Sequence, residues 1–184
     1  MDAKGSGKGS KYHYDLIDVN LLGFRQNEEI SILEIVLGTN NCDTPSNMGK
    51  FKSPRASDKD WKKYFPRAFI VGCDIDSRIL FREDRIKTYK LNQTSATSWG
   101  EFVKQIPDTK FDLIIDDGLH APFPNLITVK HCLPILTDDG MLVIEDVMEE
   151  SIPGWLLLRM VLDKKWELRV LGTNASNLVF ISRC

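Results

Sequence analysis

The sequence predicts a three-layer α/β domain, in which a seven-stranded, mostly parallel sheet with an antiparallel last strand lies between helices. Short apolar segments typical of buried strands alternate with helix-like segments, which is the pattern of a parallel sheet covered on both faces. No internal repeat or linker divides the 184 residues, a length that suits one domain. The turn between the last two apolar segments is too short for a crossover helix, so the final strand runs antiparallel.

Seven segments have the composition of strands. The first of them, 31–37, is an apolar run that ends at Gly38, as expected for a strand buried in the sheet. The third is the weakest, because polar and apolar residues are mixed in it. The predicted strands are 31–37, 68–73, 87–91, 111–115, 140–144, 166–171 and 178–182.

Helical segments are predicted between these strands. Ser57 can cap a helix that runs towards Phe65 and stops before Pro66. A short helix is expected to begin at Asp76 or Ser77. The remaining predicted helices are 97–105, 124–136, which Pro134 kinks or ends, and 153–163.

Composition limits the classes of function. The Gly/Ser/Lys-rich residues 1–11 are expected to form a flexible leader, and residues 12–184 a single domain. No apolar run is long enough for a membrane span or a secretory signal, so we expect a cytoplasmic protein with no membrane partner. A net charge of −2 argues against nucleic-acid binding, and the four cysteines show no CxxC spacing. Assembly into a homo-oligomer stays an open alternative.

Acidic side chains stand at the ends of the predicted strands, where open α/β sheets bind ligands. Glu34 lies inside the first strand, and a carboxylate in an apolar strand is costly unless a partner satisfies it. Gly38 allows the backbone to approach a ligand closely. Asp74 follows the second strand, where a carboxylate can accept both hydroxyls of a ribose. Nicotinamide-binding proteins and methyltransferases share this pattern.

The loop after the first strand discriminates between these two classes. Dinucleotide binding requires GxGxxG followed directly by a helix, whose N-terminus holds the pyrophosphate. Here Gly38 is followed by a long loop with no second or third glycine at that spacing. S-adenosylmethionine has no phosphate, so the loop suits it better.

The densest group of acids follows the fourth and fifth strands, which are expected to be adjacent. Asp116, Asp117 and His120 follow the fourth strand, and Glu145 and Asp146 follow the fifth. Carboxylates on neighbouring loops suit Mg²⁺. A histidine can act as general base near neutral pH, and a base with a metal can deprotonate a hydroxyl.

Several motifs together resemble bacterial class I S-adenosylmethionine-dependent methyltransferases, in particular sugar O-methyltransferases of the macrocin and mycinamicin type. They are ILEIVLGTNN, PSNMG, YFPRAFIVGCDID and FDLIIDDGLH, with Lys8, Gly9, Ser10, His13 and Tyr14 resembling the leader of that group. The resemblance covers residues 8–148, and DDGxH is its most specific part. It implies a Rossmann-like methyltransferase sandwich.

The resemblance also implies the cofactor S-adenosylmethionine and the residues that bind it. The implied cofactor-binding residues are Glu34, Gly38 and Asn40 at the methionine part, Asp74 at the ribose, Gln93 and Asp116 near the adenine and sulfonium, and Asp76 as a further one.

The same resemblance implies the metal and catalytic residues. Asp117, Glu145 and Asp146 match metal-binding carboxylates, and the metal is Mg²⁺ or a similar divalent cation. His120 matches the proposed base, with Asp117 as the second catalytic residue. The leading hypothesis is therefore a metal-assisted O-methyltransferase that acts on a hydroxyl of a small, sugar-like molecule.

Three positions depart from the pattern of the group. Val36 stands where glycine is common, Leu119 where serine is common, and Asn92 where an acid is frequent. The chain is also expected to lack the additional N-terminal domain of the macrolide enzymes. These departures motivate a second hypothesis, a non-catalytic cofactor-binding or interaction module. A nicotinamide-dependent oxidoreductase is the third.

Overall fold

The computed structural model describes residues 23–44, 56–173 and 176–184 of the chain. The expected leader at 1–11 and the PSNMG motif lie outside these residues. The strands are β1 (Ser31–Ile35), β2 (Phe69–Asp74), β3 (Arg82–Glu83), β4 (Ile86–Lys90), β5 (Phe111–Asp116), β6 (Leu136–Val147), β7 (Trp166–Gly172) and β8 (Asn177–Arg183).

Four α-helices lie between the strands of the described residues. They are α1 (Ala56–Tyr64), α2 (Ala96–Gln105), α3 (Pro122–Cys132) and α4 (Ile152–Val161). Short 3₁₀ turns occupy Gly23–Arg25, Ser77–Ile79, Leu133–Ile135 and Glu149–Ser151. Ser95 caps α2, because its side chain accepts a hydrogen bond from the N–H of Ser98. The predicted short helix at Asp76 or Ser77 is a single 3₁₀ turn.

The strands form one sheet in the order β3-β4-β2-β1-β5-β6-β8-β7. Neighbours from β4 to β6 run parallel, and β8 is antiparallel to both β6 and β7. The predicted α/β fold with an antiparallel last strand is confirmed. The sheet has eight strands rather than seven, since β3 pairs antiparallel with β4. The two residues of β3, Arg82 and Glu83, are exposed and carry no apolar pattern that could have indicated a strand.

Two predicted boundaries differ from the structure for identifiable reasons. β1 ends at Ile35 rather than at residue 37, because Val36 and Gly38 both have φ of 74° and turn the chain away from the strand direction. The helix predicted over 124–136 ends at Cys132, since Pro134 forms a 3₁₀ turn there and β6 begins at Leu136.

Apolar side chains fill both faces of the sheet and define three layers. Ile32 belongs to the cluster with Trp61 of α1, whereas Leu33 belongs to the cluster with Trp99 of α2. This alternation follows from the two-residue period of a strand. The cluster that contains Leu33 and Trp99 also includes Trp155 of α4. Within the described residues, no helix has both the length and the apolar character needed to cross a membrane.

Candidate active site

The loop after β1 is held to the end of β2 by Asp74. Its Oδ2 accepts a hydrogen bond from the N–H of Gly38 at 3.1 Å, and its Oδ1 accepts one from the N–H of Asp76 at 2.8 Å. The side chain is buried, and this burial raises the pKa of Asp74 above its usual value. Asp74 therefore fixes the backbone where the cofactor is expected.

Asp76 clamps the same loop from its other side. Oδ2 of Asp76 accepts hydrogen bonds from Thr39 Oγ1 at 2.8 Å and from Asn41 Nδ2 at 2.6 Å. Arg78 Nε donates to Oδ1 at 2.7 Å. Donation by Arg78, supported by Asn41 and Thr39, holds the pKa of Asp76 well below its usual value. Both oxygens are thus engaged by protein groups, so the clearest role of Asp76 is to shape the loop.

Glu34 lies fully buried within β1, opposite Gly72 of β2 and Ile115 of β5. Gly72 is required by close packing: a Cβ there would lie 2.5 Å from Leu37 and 2.9 Å from Asp58 Oδ2. The side chains of Leu37 and Asp58 therefore pack tightly against the backbone of β2 at Gly72. Asn40 is exposed in that loop.

A buried polar network lies beneath the loop that follows β5. Gln93 Nε2 donates to both carboxylate oxygens of Asp116 at 2.8 Å, and Asn125 Nδ2 donates to Asp116 Oδ2 at 3.0 Å. The same Gln93 nitrogen lies 3.0 Å from Thr128 Oγ1. Burial raises the pKa of Asp116, which has no exposed surface. The network joins β5, α3 and the loop after β4.

This network also shapes the backbone of the DDGLH segment. The N–H of Gly118 donates to Asp116 Oδ1 at 3.1 Å, and the N–H of Leu119 donates to Gln93 Oε1 at 3.2 Å. A Cβ at Gly118 would overlap Gln93 Oε1 and lie 2.8 Å from Asp116 Oδ1. A residue with a Cβ at this position would therefore require the side chains of Gln93 and Asp116 to move.

Asp117, His120 and Asp146 form a group at the carboxyl ends of β5 and β6. Each offers one ligand atom, and these atoms lie within 4.8 Å of one another. His120 Nε2 is 4.0 Å from Asp117 Oδ1 and 3.9 Å from Asp146 Oδ2. The three side chains are 28–38% exposed, so a ligand can reach them.

Unusual backbone conformations occur in this group. His120 has φ of 47° and Asp146 has φ of 50°, in the left-handed region that L-residues rarely adopt. Each such residue costs about 1–2 kcal/mol and persists only where the surroundings impose it. Nδ1 of His120 is buried and has no hydrogen-bond partner among the described residues. The polar chemistry of this imidazole is therefore concentrated at Nε2, which faces the two carboxylates.

Comparison with known proteins shows which proteins the chain resembles. No protein-family model matches the chain. It is 31% identical over 134 residues to L-olivosyl-oleandolide 3-O-methyltransferase of Streptomyces antibioticus, covering 71% of this chain and 31% of that protein. It is 30% identical over 135 residues to mycinamicin VI 2''-O-methyltransferase of Micromonospora griseorubida, with 71% and 30% covered.

The chain is similar in sequence to these sugar O-methyltransferases. It spans about a third of the length of these curated relatives. Among solved structures, the methyltransferase MycE of the mycinamycin biosynthetic pathway, in complex with Mg and S-adenosylhomocysteine, superposes with a TM-score of 0.73 at 22% identity. The match covers 96% of this chain and 51% of MycE. The fold of this chain is therefore the Rossmann-like methyltransferase fold.

The structure brings some predicted site residues together and separates others. Asp117 and Asp146 meet as predicted, and His120 lies between them. Glu145 is only 2% exposed and is not part of the three-residue group. Its assignment as a metal ligand stays a prediction. Gln93 and Asp116 lie together, as the resemblance implied, but they are bonded to each other.

Sequence reasoning missed three residues that shape the site. Asn125 and Thr128 of α3 are both buried, and Ser176 donates a hydrogen bond to Asp146. Asn125 and Thr128 are three residues apart, so they share one face of α3 and place two polar side chains on its buried side, where apolar ones are expected. That spacing was a usable signal. Nothing in the local sequence marks Ser176.

The donor set of the three-residue group fits a divalent cation. Two carboxylates supply hard oxygen ligands, which suit Mg²⁺ and Mn²⁺, and an imidazole adjoins them. The oxygens and Nε2 are close enough to face one ion or one hydrated ion. Asp117 and Asp146 are the residues that would hold the metal.

Proposed function

We propose that this chain carries the methyl-transfer domain of a metal-assisted, S-adenosylmethionine-dependent O-methyltransferase. Its acceptor is a hydroxyl of a small, sugar-like molecule. The observation that carries the proposal is the meeting of Asp117, His120 and Asp146 at the carboxyl edge of a methyltransferase sheet. The names of the relatives, which describe O-methyltransferases of glycosylated macrolides and tetracenomycins, support the sugar hydroxyl.

The cofactor side of the proposal rests on the ends of β1 and β2. Asp74 and Asp76 fix the loop that follows β1, and the Asp74 carboxylate accepts hydrogen bonds from the N–H groups of Gly38 and Asp76. Ile75, which is 37% exposed, presents an apolar side chain next to them. These features suit a ribose and an apolar ring face. Asn40 and the backbone at Gly38 then lie beside the methionine part.

The acceptor side rests on the three-residue group. Bound S-adenosylmethionine supplies an electrophilic methyl group, and a bound divalent cation lowers the pKa of a hydroxyl that it contacts. Asp117 and Asp146 would hold that cation. His120 Nε2 takes the proton from the acceptor hydroxyl, because it faces both carboxylates and is exposed enough to reach a substrate. Methyl transfer also requires that the acceptor oxygen lies in line with the methyl group of the cofactor.

Ligand-dependent stability tests the cofactor assignment. S-adenosylhomocysteine should raise the melting temperature of the protein, since a ligand that binds only the folded state stabilises it, and NADH should leave it unchanged. Equal shifts with both ligands would contradict the methyltransferase assignment and favour the oxidoreductase. Cofactor binding without methyl transfer to any member of a broad library of hydroxylated sugars, with and without Mg²⁺, would favour the non-catalytic module.

A further inference from the structure

Ser176, the residue directly before β8, contacts the three-residue group, because β8 lies next to β6 in the sheet. Ser176 Oγ donates a hydrogen bond to Asp146 Oδ1 at 3.0 Å. The other carboxylate oxygen, Oδ2, is the one that lies 3.9 Å from His120 Nε2. The serine hydroxyl therefore engages one oxygen of Asp146 while the second oxygen faces the site.

Regular strand pairing does not fix the orientation of the Asp146 carboxylate. Pairing between β6 and β8 shifts register between Ile144 and Val147, and Asp146 has φ of 50° within that irregular segment. Asn177 Nδ2 donates to the carbonyl of Val147 at 3.2 Å, which attaches the segment to the start of β8. Contacts from β8 and its preceding turn thus replace part of the missing ladder.

The turn is itself held by hydrogen bonds between its two ends. The N–H of Thr173 donates to the carbonyl of Ser176 at 2.9 Å, and the N–H of Ser176 donates to Thr173 Oγ1 at 3.1 Å. The Thr173 hydroxyl also donates to the Ser176 carbonyl at 2.7 Å. These bonds fix the backbone of Ser176, so its hydroxyl is presented to Asp146 from a defined position.

We propose that Ser176 is a positioning residue for the metal-binding carboxylate of Asp146, an inference that rests on the proposed function. Ligating carboxylates act with the outer groups that hydrogen-bond to them, and loss of such a group typically lowers metal affinity about 10- to 100-fold. Ser176 acts through Asp146 and does not touch the reacting atoms. Ser176, directly before β8, is thereby a part of the metal site.

Metal affinity, measured apart from activity, tests this role. We expect Ser176→Ala to weaken Mn²⁺ binding about 10-fold or more, as measured by electron paramagnetic resonance of free Mn²⁺. S-adenosylhomocysteine affinity should stay within about twofold, because the Ser176 hydroxyl donates to Asp146, on the metal side of the site. Ser176→Thr keeps a hydroxyl and should recover most of the Mn²⁺ affinity, which separates a lost hydrogen bond from a disturbed turn.

Ser151→Ala is the matched control. Its hydroxyl also donates one hydrogen bond close to the end of β6, at 2.7 Å to the carbonyl of Met148, but not to a carboxylate of the group. It should bind Mn²⁺ as the unaltered protein does. Unchanged Mn²⁺ affinity in folded Ser176→Ala, or equal losses in both variants, would overturn the positioning role alone. No measurable Mn²⁺ binding by the unaltered protein would overturn the metal-assisted function together with it.

Discussion

Aspartates lie at the carboxyl ends of β2, β5 and β6. The carboxylates at the end of β2 have different surroundings from those at the ends of β5 and β6. On the β2 side, Asp74 and Asp76 are buried and accept hydrogen bonds from the loop that they hold. On the β5–β6 side, Asp117 and Asp146 are partly exposed and face His120. The same residue type at the same kind of position thus shapes the backbone on one side and can perform chemistry on the other.

Asp116 and Asp117 show the same difference between adjacent residues. Asp116 is fully buried in contact with Gln93 and Asn125, whereas Asp117 projects towards His120. The buried carboxylate of Asp116 fixes the conformation of the loop, and this conformation positions the exposed carboxylate of Asp117. Rigid support beneath a partly exposed group is what a preorganised site requires.

The largest expected effect concerns the exposed side. His120→Ala and Asp117→Ala should each lower the rate of methyl transfer about 10²- to 10⁴-fold, because a general base or a metal ligand is lost. S-adenosylhomocysteine affinity should change less than about twofold. Isothermal titration and a turnover assay with a hydroxylated sugar acceptor measure the two quantities. His131→Gln is the control, since His131 stacks on Trp99 away from the group. Full activity in His120→Ala would remove the catalytic assignment.

The next effect concerns the buried side. Asp116→Asn should lower the free energy of unfolding by about 2–3 kcal/mol, because the amide would face donors from Gln93 and Asn125. Urea denaturation measures this loss. Exposed Asp139→Asn should change stability by less than about 0.5 kcal/mol. Equal stability of both variants would show that the network does not support the loop.

A smaller effect concerns the β1 loop, where Val36 has φ of 74°. Glycine should be more stable than alanine at this position by about 1 kcal/mol, since both lose the valine packing but only glycine adopts this φ without strain. Thermal unfolding of Val36→Gly and Val36→Ala measures the difference. The reverse order, which is usual at ordinary positions, would contradict the left-handed conformation.

The smallest effect concerns pH and Asp76. Its pKa is depressed in the folded protein, so its contribution to stability is present above the unfolded pKa of about 4 and is lost as pH falls below that value. Asp76→Asn should therefore be less stable than the unaltered protein at pH 7, with the difference shrinking towards pH 3. The effect is modest because Arg78 is half exposed and solvent screens the pair. A difference independent of pH would contradict the ion pair.

The order of strands and helices followed from local patterns. Apolar runs such as AFIVGC and FDLII predicted β2 and β5 to within one residue, because a strand buried on both faces needs a continuous apolar segment. The two-residue β3 could not be predicted, since it exists only because β4 lies beside it. The position of the three-residue group was predictable from Asp117, His120 and Asp146, since adjacent parallel strands end at one edge.

By itself, the sequence determined the α/β fold, the acidic edge of the sheet and the resemblance to sugar O-methyltransferases, because hydrophobic periodicity and short motifs are local properties. Tertiary structure alone decided which carboxylates are structural and which face the site. Asp74, Asp76 and Asp116 are distinguished from Asp117 and Asp146 by burial and by partners distant in the chain, such as Asn125 and Ser176. Hydrogen bonds across 30 residues, like that from Ser176 to Asp146, depend on how the sheet is assembled and leave no local pattern.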